Sequence, residues 1–124
     1  MSDEFENVDP KEMLSNAMTT VVLEDIKKEV DRQEAKWGEQ NHPDGTSKEK
    51  FAWMMDLAKM NCNMLHQKGT LSWAAVLFEE FYEALAEEKN SELRLELVQV
   101  AAVAASWIKA IDRRERAVRQ LSDS

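Results

Sequence analysis

Apolar residues recur along this chain at helical rather than strand spacing. Val22, Ile26 and Val30 repeat every four residues, and Gln33 and Trp37 continue the stripe. Glu24, Lys27, Lys28, Asp31 and Arg32 cover the other side. The pattern predicts a first helix from about Thr20 to Trp37, with Gly38 as its C-cap. Ser47 is a good N-cap for a second helix reaching about Gln67 and ending at Gly69, with Phe51, Met54, Met55, Leu57, Ala58, Asn61 and Leu65 on one broad face. The methionines read as adaptable core filler. A third helix is expected from Thr70-Leu71-Ser72 to about Glu88. After the Lys89-Asn90-Ser91 turn, a fourth runs into Arg113-Arg114-Glu115-Arg116, rich in Val and Ala between Leu93 and Ile111.

Outside these elements the chain is polar. Residues 1–18 are expected to form a mobile arm broken at Asp9-Pro10, residues 19–116 a single helical domain, and residues 117–124 a frayed tail. The one long loop, residues 38–47, holds Pro43-Asp44-Gly45, where Pro presets φ and Gly accepts a positive one. Composition agrees with an all-α chain. Of 124 residues only three are Gly and two Pro, leaving little material for hairpins. A net charge of -8 argues against a nucleic-acid partner, because phosphate backbones demand a basic surface. The apolar run Val98 to Ala105 is too short to span a bilayer, and the acidic start Ser2-Asp3-Glu4 is unlike a secretion signal. A single cysteine, Cys62, excludes an internal disulfide and fits a cytoplasmic location. Cys62 and His66 stand at i,i+4, but two zinc ligands without others nearby read as ordinary packing.

Candidate chemistry lies where the apolar pattern is interrupted by acids. At about 100° per residue, Glu79, Glu80, Glu83 and Glu87 share roughly a 100° arc of the third helix. On the fourth, Glu92, Glu96, Gln99 and Val103 line one edge beside Leu97, Val100 and Trp107. A carboxylate drawn among apolar groups needs a partner, since unpaired burial costs several kcal/mol, of order 2–7 for a polar group and more for a charge. If the two helices pack antiparallel, Glu80 and Glu83 face Glu96 and Gln99, giving three carboxylates and one amide oxygen, a donor set suited to Mg²⁺ or Mn²⁺. A solvated acidic face with Glu96 tied to a basic side chain is the alternative.

Glu79-Glu80-x-x-Glu83, a spacer of twelve residues, then Glu96-x-x-Gln99 resembles the signature of the MazG-like, all-α nucleoside triphosphate pyrophosphohydrolases, Glu-Glu-x-x-Glu followed by Glu-x-x-Asp on two antiparallel helices. The stretch from Asp25 through Lys36-Trp37-Gly38-Glu39-Gln40-Asn41-His42-Pro43-Asp44-Gly45-Thr46 is similar to a phage and actinobacterial subgroup, so the resemblance covers most of residues 25–113. It implies a four-helix bundle assembled as a homodimer or homotetramer. It also implies Mg²⁺-dependent hydrolysis, with Mn²⁺ as a substitute, of a nucleoside triphosphate to the monophosphate and pyrophosphate. Glu80, Glu83, Glu96 and Gln99 would be the metal ligands, and Glu79 and Glu80 the catalytic pair. Gln33, Lys36, Trp37 and His42 are candidates to hold the nucleotide. Gln99 departs from the family pattern by standing in the place of Asp. An amide oxygen ligates but carries no charge and cannot act as a base. A catalytically degenerate member that binds a nucleotide or partner is therefore the alternative reading.

Overall fold

The computed structural model describes residues 7–123. Among them are four helices and no strand: α1 (Pro10–Trp37), α2 (Lys48–Gln67), α3 (Trp73–Leu85) and α4 (Asn90–Asp123). The chain divides into two compact units where the sequence shows no boundary. One comprises residues up to Asn41 together with those from Ile108 onward, and the other runs from His42 to Trp107. No helix among the described residues is long and apolar enough to cross a membrane.

The helix ends follow local chemistry. Ser47 caps α2 by accepting from the Lys50 amide at 3.2 Å, and Ser72 caps α3 by accepting from the Ala75 amide at 3.1 Å. Gly38 closes α1 with φ +71°, its N–H donating to the Glu34 carbonyl at 2.7 Å, and Gly45 takes φ +72° in the predicted turn. Three ends differ from the pattern-based expectation. Helix α1 begins at Pro10, about ten residues before Thr20, so the arm expected over residues 1–18 is helical from Pro10; its first six residues lie outside the described chain. Asp9 accepts from the Lys11 amide at 3.1 Å and Pro10 occupies the first turn, where its missing N–H costs nothing. Lys109 Nζ, donating to Ser15 Oγ at 2.9 Å, adds a tertiary tie. Helix α4 likewise continues to Asp123 through the residues expected to fray. Helix α3 stops at Leu85, three residues short of Glu88.

In the His42–Trp107 unit α2 packs on α3. The loop before α2 is pinned to the end of α3 at two points. The Ser47 amide donates to the Leu85 carbonyl at 2.9 Å, and the Lys48 amide to Glu88 Oε1 at 3.0 Å. Here Cys62, Ala75, Ala84, Ala86 and Leu93 are buried. Only one of these five is a large aliphatic, so the helices meet mainly through small side chains. In the other unit Val22 is almost completely enclosed and Ile26 half-buried, but the same stripe emerges at Val30 and at Trp37, which is 63% exposed rather than packed in a core.

Candidate metal centre

The apolar side of α3 keeps it against α2, and the turn at residues 86–89 brings α4 back beside it. Glu80 and Glu83, one turn apart on α3, therefore meet Glu96 on the first turns of α4. Carboxylate oxygens of the three lie within 4.8 Å of one another, and all three residues are half-buried. Among the described residues this is the one cluster of three or more acidic, histidine or cysteine side chains so arranged. Gln99, nine residues into α4, comes beside Glu80, five residues before the end of α3, so α4 runs back along α3 in the antiparallel sense.

Crowding like charges into a half-dry space has a direct electrostatic consequence. Loss of water pushes the Glu80 carboxyl above its ordinary range, and the neighbouring Glu96 and Glu79 push it further. Loss of water likewise raises Glu83, reinforced by Glu80, Glu96 and Glu79 and opposed by Lys59. Lys59 Nζ on α2 stands 3.7 Å from Glu83 Oε1, a long contact for a single, half-exposed ammonium beside three acids. Gln99 contributes donors as well. With its amide nitrogen turned to the cluster, it donates to Glu96 Oε2 at 3.0 Å and Glu80 Oε2 at 3.2 Å. In the opposite orientation the amide oxygen would face only acceptors, an arrangement that requires a cation between them.

Glu79 points elsewhere. It takes a hydrogen bond from the Cys62 thiol of α2, which with burial pushes that thiol up to about 11. Cys62 is thus a buried, protonated neighbour of the acids rather than a thiolate ligand, and the described residues form no zinc-type cluster with His66. Neither Lys59 nor Cys62 was legible as part of this site. Both lie on α2, and no spacing within α3 or α4 announces them.

The donor set suits a small hard dication. Mg²⁺ at 2.0–2.1 Å from each oxygen holds its ligands about 3–4 Å apart, so oxygens within 4.8 Å require a small inward rotation or one retained water. The residues that fit this group are Glu80, Glu83 and Glu96, with Gln99 able to join once its amide oxygen turns inward.

The candidates for holding a nucleotide are distributed differently. Gln33, Lys36 and Trp37 belong to the unit that contains α1, whereas His42 begins the unit that holds the acids. Gln33 is fixed by donating to Glu29 Oε1 at 3.0 Å, and it lines an open cleft of about 440 Å³ with Val30, Glu34, Gly38, Glu39 and Gln40. Lys36 Nζ sits 4.9 Å from the centroid of the exposed Trp37 ring, a cation–π contact that leaves one face of the indole engaged.

No protein-family model, no curated protein and no solved structure matches this chain.

Proposed function

We propose that this protein is a Mg²⁺-dependent nucleotide pyrophosphohydrolase of the MazG-like type, cleaving a nucleoside triphosphate to its monophosphate and pyrophosphate. The observation that carries the reading is the convergence of Glu80, Glu83 and Glu96 from two antiparallel helices onto one small space. Such a cluster is self-repelling, and a divalent cation is the simplest group that relieves it.

Glu80, Glu83 and Glu96 hold the metal in this reading, which when bound supplies charge neutralisation at the phosphates and polarises phosphorus. The protein's remaining task is positioning, because phosphoryl chemistry asks little covalent help of the enzyme. Glu79, oriented by the Cys62 thiol, accepts a proton from the attacking water or orients it through its second oxygen. His42, in the same unit as the acids, remains a proposed nucleotide contact, and the working form is a homo-oligomer in the cytoplasm. The test is turnover of a panel of ribo- and deoxyribonucleoside triphosphates with Mg²⁺ or Mn²⁺, followed by chromatography of the monophosphate and pyrophosphate. Absence of turnover on the whole panel, or undiminished turnover in Glu83→Gln, would sink the proposal.

One observation favours a second reading, a non-hydrolysing binding protein of the same architecture. Gln99 can direct its amide hydrogens at Glu80 and Glu96, taking up lone pairs that a metal needs. Gln99→Asp separates the two readings. If the substitution creates turnover that the native chain lacks, the native protein is the binding form.

A further inference from the structure

Gln99 interrupts the acidic pattern shared by α3 and α4, yet its side chain ends among the acids. The inner end of its amide lies 3.0 Å from Glu96 Oε2 and 3.2 Å from Glu80 Oε2. Glu80 belongs to α3 and Glu96 to α4, so this one group spans both helices. Gln99 is exposed, which puts it at the mouth of the cluster rather than beneath it.

These two separations suit two different partners of the carboxylates. With nitrogen innermost, the amide gives one hydrogen to each carboxylate and ties α3 to α4 without adding charge. With oxygen innermost, the same separations are those of neighbouring ligands on one small dication. Oxygens held at about 2.0–2.1 Å from Mg²⁺ and at right angles stand roughly 2.9 Å apart. Turning the amide over about its last side-chain bond exchanges the two arrangements without moving either helix. Aspartate, which the resembled pattern has at this place, has no hydrogen to give and would add a fourth negative charge. Only an amide serves both states. The third acid, Glu83, has Lys59 Nζ at 3.7 Å, so without a metal each carboxylate of the cluster still meets a partner from the chain itself.

We infer that Gln99 is a cation-dependent latch: in the metal-free chain its amide hydrogens bridge Glu80 and Glu96, and the amide turns over to present its oxygen when a divalent cation enters. The latch holds α3 to α4 while no metal is bound. It also sets a threshold for the cation, because two hydrogen bonds must be given up before the ion is held. The latch rests on the acids holding a divalent cation, as in the proposed function, but its metal-free half stands without one. Neither half is read by turnover.

Proton–nitrogen NMR of the side-chain amides in the full chain, first in chelator and then with Mg²⁺ added, reads both states. In chelator the Gln99 amide protons are expected downfield of those of the exposed Gln67 amide. Added Mg²⁺ should move them back, together with the carbon-13 carboxyl signals of Glu80, Glu83 and Glu96. Gln99→Asp should lower the metal-free unfolding midpoint by a few degrees and tighten Mg²⁺ binding, measured by calorimetry, by about tenfold. A residue that acts only through packing does not give this pair of opposite signs. If Gln99→Asp fails to fold without metal, Gln99→Leu replaces it, and its metal-free midpoint should fall because both donors are gone. Unchanged midpoints overturn the latch. Gln99 amide signals that match those of Gln67 in chelator also overturn it and leave the metal site standing. Carboxyl signals that move with Mg²⁺ while the Gln99 amide stays still do the same. If neither set moves, the cluster takes no cation, and the proposed function fails together with the latch.

Discussion

Two surfaces of the His42–Trp107 unit invert the usual partition of side chains. At the α3–α4 junction, charge is drawn inward, with Glu80, Glu83 and Glu96 half-buried and within reach of one another. On the outer side of α2, hydrocarbon is turned outward, with four large apolar side chains open to water. Each arrangement is unfavourable by itself, the first through repulsion and lost hydration, the second through exposed apolar area. The two ask for different remedies. A compact cation answers crowded oxygens, whereas only an extended apolar surface answers a stripe several turns long. Their geometry is consistent with that division, since one is a point and the other a line.

The largest effect expected at the acid cluster is chemical. Glu83→Gln keeps the side-chain shape but removes one of three negative charges, and should lower turnover by about 100-fold or more if the cluster holds the catalytic metal. An undiminished steady-state rate would separate the cluster from any chemistry and leave it a structural oddity.

Next in size is the metal affinity of the same variant. Isothermal calorimetry should show Mg²⁺ binding weakened by about tenfold or more in Glu83→Gln, since one anionic ligand is lost. Equal affinity in the two proteins would mean that the cation binds elsewhere.

Stability should move in the opposite direction. With metal chelated, Glu80→Gln removes one of the repelling charges and should raise the midpoint of thermal unfolding by a few degrees, corresponding to about 1 kcal/mol. The pH profile carries the same sign. The folded-state carboxyls of Glu80 and Glu83 are raised above their ordinary values, so the folded protein binds more protons than the unfolded chain between those values. Their contribution to stability is present below the ordinary carboxylate range near 4.5 and is lost as pH rises through the raised values. Metal-free unfolding followed by circular dichroism should therefore show this contribution weakening toward neutral pH and reversed by added Mg²⁺. A contribution that grows toward neutral pH would contradict the crowding.

The smallest expected effect is at Lys59. Its ammonium is half-exposed and 3.7 Å from Glu83, so Lys59→Met should change stability by only about 0.5 kcal/mol or less. It should still raise the Glu83 carboxyl further, as read by carbon-13 titration of the side chain. A large loss of stability would show that Lys59, rather than a cation, balances the cluster.

Legibility in the sequence varied with how local the determining interaction was. The start of α2 at Ser47 and the close of α1 at Gly38 were readable because a cap is satisfied by residues three or four positions away. The beginning of α1 was not placed by hydrophobic period, since Met13, Leu14, Ala17 and Met18 are interleaved with polar residues. The signals that mark it are Asp9 and Pro10, and Ser15 is secured by Lys109 from the far end of the chain. The acids show the same limit. Their spacing on each helix was plain, but their neighbours Cys62 and Lys59 come from a different helix.

By itself, then, the sequence determined an all-α chain, most of its helix ends and the two acidic edges at residues 79–83 and 96–99, because helical period and capping act over a few residues. Tertiary structure alone decided that Glu80, Glu83 and Glu96 share one space, that Glu79 turns to Cys62, and that the Gln99 amide faces two carboxylates. It also decided which side of α2 is covered. The sequence shows apolar residues all around that helix, but only the packing of α3 against one side leaves Trp53, Leu57, Met60 and Met64 outside. The physical reason is the same in each case: burial and charge proximity are set by residues distant in the chain, and no local pattern encodes them.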